Sequence, residues 1–105
     1  MDGQKILNLI SSKEVKFTFS PYKNEILTSV KTTEKRHSFI RIIKEIEAGN
    51  IIKITSSNNT DDPNHFWLIL KVDNYPYVVP AHFDEASNLI VLHTNFPDRR
   101  FKKDI

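Results

Sequence analysis

The residues in this chain of 105 with the most distinctive chemistry are its four histidines and a basic run near the C-terminus. That run is Arg99-Arg100-Phe101-Lys102-Lys103. A guanidinium group is a planar fork that matches phosphate, and its charge does not titrate off near neutral pH. Phe101 adds a ring on which a nucleic-acid base can stack. The run follows directly on an apolar stretch, which limits its freedom. Four cations and one ring held in a fixed place suit a phosphate-rich partner.

The histidines are His37, His65, His82 and His93. Imidazole titrates near neutral pH, so any of them can act as a general acid or base. A shared metal ion is the sharper reading, and strand geometry tests it. Pairing Phe83 with Asn88 sets Val79 opposite Leu92, His82 opposite Leu89 and His93 opposite Val78. The two histidines then stand about 13 Å apart along the strand, too far for one zinc ion. On this register no metal is expected, and the histidines read as surface residues.

Other chemistries lack their residues. With no cysteine there is no disulfide and no thiolate ligand, which fits a reducing compartment. Two glycines do not make a phosphate loop, and no GxSxG elbow occurs. Glu45 and Glu47 alternate with apolar positions and read as structural. Lys23 follows Ser20-Pro21 at the start of an expected helix, where free backbone amides also favour phosphate. Lys35 and Arg36 add charge in a polar segment. No cofactor is implied.

Length and composition bound the rest. The chain is one domain, large enough for a core without staples. Its 39% hydrophobic and 27% charged residues are ordinary for a globular protein. A net charge of +2 and a pI near 8.9 permit nucleic-acid binding without demanding it. No apolar run approaches the ~20 residues of a membrane span, and the start lacks the pattern of a secretion signal. A cytoplasmic protein without a membrane partner is expected.

The elements that position these groups follow from periodicity. Residues 1–12 hold Ile6, Leu7, Leu9 and Ile10 and read as a short helix or a frayed extension. Residues 15–19 alternate as a half-buried edge strand. Ser20-Pro21 opens a helix to about residue 31, marked by Tyr22, Ile26, Leu27 and Val30. Residues 31–36 are a loop or the helix continued. Ser38 caps the clearest helix, with a stripe of Phe39, Ile42, Ile43 and Ile46 widened by Ile40, and Gly49 ends it. A strand at 51–55 precedes the polar loop 56–64. Residues 66–72 are apolar on both faces and read as a central strand. Asp73-Asn74 is short enough for a tight turn, despite lacking glycine. A hairpin over residues 75–97 follows, with Asp84, Glu85, Ser87 and Asn88 between its strands. Pro97 stops the sheet. The fold class is α+β: a mostly antiparallel sheet of about five strands with two main helices.

Taken in order, these segments resemble the BrnT family, a branch of the RelE-like ribonuclease toxins. The residues that carry the likeness are Phe17-Thr18-Phe19-Ser20-Pro21-Tyr22-Lys23-Asn24-Glu25, Ser38-Phe39 and Ile46-Glu47-Ala48-Gly49. Tyr75-Pro76-Tyr77-Val78-Val79-Pro80 and Phe96-Pro97-Asp98-Arg99-Arg100 complete it. The likeness covers residues 15–103 and leaves residues 1–14 as an N-terminal extension. It implies the toxin of a toxin–antitoxin pair, a metal-independent ribonuclease held inactive by a small DNA-binding antitoxin. RNA would be cleaved by attack of its own 2′-hydroxyl. On that reading Arg99 and Arg100 stabilise phosphate charge and Lys23 assists. His82 or His93 serves as acid or base. Lys35, Arg36, Phe101, Lys102 and Lys103 contact RNA. Ser20 stands where the family carries aspartate, and Lys35-Arg36 lacks the glycine that usually follows the basic residue. The missing acidic residue at position 20 favours the alternative, a non-catalytic RNA- or protein-binding module on the same fold.

Overall fold

In the computed structural model, residues 3–19, 38–56 and 64–105 are described. The expected helix over 21–31, Lys23, Lys35, Arg36 and His37 lie outside them, as does most of the polar loop. The order is α1 (Gly3–Ser12), β1 (Lys16–Phe19), α2 (Phe39–Glu47), β2 (Ile51–Ser56), β3 (His65–Val72), β4 (Tyr75–Asp84), β5 (Leu89–Leu92) and β6 (Phe96–Pro97). A 3₁₀ helix, Arg99–Asp104, follows. The strands form one mixed sheet in the order β1-β5-β4-β3-β2, with β6 also on β4. From β2 to β5 it is an antiparallel meander, and β1 joins β5 in parallel at an edge. The α+β class is as expected. No helix among the described residues is long and apolar enough to cross a membrane.

Both helices cover one face of the sheet. Ile6 of α1 and Phe39, Ile42 and Ile46 of α2 pack with Phe66, Leu68, Leu70, Val79, Ala81, Phe83, Ile90 and Leu92. Local chemistry sets the ends of α2. The Ser38 hydroxyl accepts from the Arg41 amide. Gly49, at φ +83°, lets its amide reach the Ile46 carbonyl and the Asn50 amide reach that of Glu45, a Schellman closure. The stripe is narrower than expected, because Ile40 is 66% exposed. Its angular position, between Phe39 and Arg41, turns it away from the sheet.

Three connections set the other face. Asp73 and Asn74 both take positive φ, so the β3–β4 turn is tight and Val72 pairs with Tyr75. At the β4–β5 turn Asn88 is left-handed, and Phe83 pairs with Ile90, not with Asn88 as expected. The register thus differs from the expectation by two residues, which keeps every side chain on its face but slides it along the strand. Between β5 and β6 lies a bulge. Leu92 pairs with Ala81 and Phe96 with Val78, so residues 93–95 oppose only 79 and 80.

Candidate functional site: an imidazole cluster beside a basic turn

Phe66, Ala81, Phe83 and Leu92 point into the core, so the residues that alternate with them point out of it. Those residues include His65, His82 and His93. The β3–β4 register sets His65 opposite His82. The His93 amide donates to the Pro80 carbonyl at 2.9 Å, which sets His93 one step diagonally from His82. His82 Nδ1 and His93 Nε2 are 3.0 Å apart, a hydrogen bond in which one ring donates and the other accepts. His65 stacks on His93, with ring centroids 5.5 Å apart and planes 14° from parallel. All three are half-buried. The separation of about 13 Å expected for His82 and His93 is therefore corrected. The two-residue slide in register brings the rings into contact.

The basic run lies on the same face. Lys53 pairs in register with Ile69, on the His65 side of β3. Its ammonium sits 5.1 Å from the Phe101 ring centroid and 3.1 Å from Asp104 Oδ2. The 3₁₀ helix is thereby held against the sheet, four residues along β3 from His65, or about 13 Å. Within it the expected cations differ in availability. Arg100 is clamped by Asp98, whose carboxylate accepts from its Nε at 3.0 Å and its Nη2 at 2.6 Å. The same carboxylate caps the helix by accepting from the Arg100 amide. This side-chain hydrogen bond is the main reason that Asp98 titrates below its ordinary value and Arg100 above its own. Phe101 is half-buried, with Lys53 over its ring and the Arg100 guanidinium 5.8 Å from its centroid. Lys102 sits 5.5 Å over the Tyr75 ring, and Lys103 is exposed. Arg99 is exposed and has no ion pair among the described residues.

Sequence reasoning gave Lys53 and Asp98 no role, and it named His65 only as one of four histidines able to act as acid or base, without setting it beside His82. The signal for His65 was present. A two-residue turn at Asp73-Asn74 pairs Val72 with Tyr75, and counting outward along the strands reaches His65 and His82. Tyr77 offers no further acid or base near neutral pH, since burial, with Asp73 nearby, holds its phenol above the ordinary 10.0. A groove of about 510 Å³ lies on the helical side, lined in part by Ile10, Phe17, Ile43, Lys13, Lys16 and Glu47. Its charges, from Lys13, Lys16 and Glu47, are of mixed sign. Comparison with protein-family models, with curated proteins and with solved structures gives no match.

Proposed function

We propose that this chain is a ribonuclease that needs no metal, with the His82–His93 pair moving protons and Arg99 gripping a phosphate further along the RNA. The observation that carries the reading is the 3.0 Å contact between the two imidazoles. A hydrogen-bonded pair accepts a proton at one outer nitrogen and releases one from the other, and the cation between is steadied by a charge-assisted bond. In this reaction the 2′-oxygen forms a bond to phosphorus and its proton passes to one ring. The bond from phosphorus to the 5′-oxygen breaks, and the other ring supplies the leaving oxygen with a proton. A 2′,3′-cyclic phosphate and a 5′-hydroxyl result. Arg99 and Lys102, beside Pro76 and Tyr75 and about 20 Å along β4 from His82, hold neighbouring phosphates of the RNA together with Lys103, and Lys23, Lys35 and Arg36 are proposed to contact the strand. Arg100 joins them only by leaving Asp98. The wider role, a BrnT-like toxin restrained by a DNA-binding antitoxin, rests on the sequence resemblance alone.

The test is incubation of the full chain with RNA in excess chelator. Cleavage with cyclic-phosphate ends is expected, reduced by a factor of about 10² or more in His82→Gln and in His93→Gln. Arg99→Ala lowers it as well, and growth arrest on expression follows the same order. Intact RNA after long incubation with the unaltered chain overturns the reading. It would favour a non-catalytic RNA- or protein-binding module, for which the engagement of Arg100 and Phe101 within the chain itself speaks.

A further inference from the structure

We propose that His82 and His93 form a chelate for a divalent transition cation of the zinc or nickel type. Two imidazole nitrogens on one such ion, at ~2.0–2.1 Å and with angles of 90–110°, stand about 2.9–3.4 Å apart. His82 Nδ1 and His93 Nε2 stand 3.0 Å apart. The bite of a chelate is thus present, and the backbone pairing is what sets the two side chains next to each other. His82 lies within a strand paired on both sides, by β3 and by β5. His93 is fixed by the hydrogen bond that its backbone amide donates to the Pro80 carbonyl and by the stacked ring of His65. Half-burial leaves the pair reachable by a hydrated ion while limiting its motion.

Two neutral imidazoles and no thiolate favour zinc, nickel or copper over hard cations such as magnesium. Among the described residues no group of three or more histidines, aspartates or glutamates is placed to hold one ion. The remaining positions are therefore filled by water. On binding, the proton between the rings moves to an outer nitrogen, freeing both inner lone pairs for the metal. Acid competes with the ion for the same lone pairs. His65 is a positioning residue here, acting through the ring of His93.

Titration calorimetry of the full chain, without RNA, tests this with zinc chloride, nickel chloride and magnesium chloride in a non-chelating buffer. One zinc or nickel per chain and no magnesium uptake are expected. His82→Gln and His93→Gln each abolish saturable uptake, and His65→Gln weakens it about tenfold. Absence of zinc and nickel uptake by the unaltered chain overturns the proposal, as does uptake retained in both glutamine variants. A measurement that needs no variant is carbethoxylation mapped by mass spectrometry. Zinc should protect His82 and His93, and equal modification with and without zinc contradicts the site. Because no RNA is present, these results stand or fall apart from the ribonuclease reading. If that reading holds, zinc inhibits cleavage by occupying the same nitrogens.

Discussion

Asp98 serves two purposes with one carboxylate, capping the 3₁₀ helix and gripping Arg100. Its folded-state pKa is depressed, so what it adds is present above its ordinary value of 3.8 and is lost as pH falls through the lower folded value. Protection of the amides over residues 99–105, taken relative to the intrinsic exchange rate at each pH, should therefore be steady from neutrality down to 3.8 and fall as pH drops through the lower folded value. Asp98→Asn separates the two roles. The amide oxygen still caps, while the ionic grip on Arg100 is gone. If the ribonuclease reading holds, this variant should bind RNA more tightly than the unaltered chain, with a steeper salt dependence. Unchanged affinity and unchanged slope would show that the freed guanidinium meets no phosphate. Lys53 acts on the opposite side of the same helix, through Phe101 and Asp104. The Lys53–Asp104 pair is partly exposed, so Lys53→Met should cost less than about 1 kcal/mol. It should nevertheless loosen residues 99–104 in the same exchange measurement.

At the scale of elements, α2 is bounded by chemistry that reads directly from residue type. Gly49 has open space where a Cβ would go, but its φ of +83° is one that side chains rarely adopt. Gly49→Ala should cost about 1 kcal/mol in chemical denaturation, from backbone conformation and not from a clash. The stripe itself is tested by contrast. Ile42 is fully buried and Ile40 is 66% exposed. Ile42→Ala should cost about 2–5 kcal/mol. Ile40→Ser should fall within about 0.5 kcal/mol of the unaltered protein. Similar costs for the two would mean that α2 is rotated from the orientation described. Arg41 ties this helix to the β3–β4 turn, bonding Glu45 at 3.2 Å and Asp73 at 2.8 Å.

At the scale of the molecule, the two faces of the sheet divide the work. One is closed by helices and supplies the core. The other carries the imidazole cluster and the basic turn. Residues 1–14, read from the sequence as an extension, contribute to the first face through Ile6, which is fully buried in the main cluster. Ile6→Ala should therefore destabilise the whole chain by about 2–5 kcal/mol, with all spectroscopic probes shifting together. A local loss of α1 helicity with the sheet transition unmoved would show that α1 is a separable appendage.

Residue type and local period were enough to locate α1, α2, the central β3, the edge strand β1, the glycine that ends α2 and the turn at Asp73-Asn74. Each depends on neighbours within a few positions, where sterics and alternation act directly. Even the pairing of His65 with His82 follows from that two-residue turn. The meeting of His82 and His93 does not. It depends on which residues close the β4–β5 turn and on a bulge after β5, and the hydrophobic pattern is blind to both. A slide of two residues leaves every apolar side chain on its own face, so burial alone cannot choose between the registers. Only the packed sheet, with Asn88 left-handed and His93 bonded to Pro80, decides whether the two rings stand apart or touch.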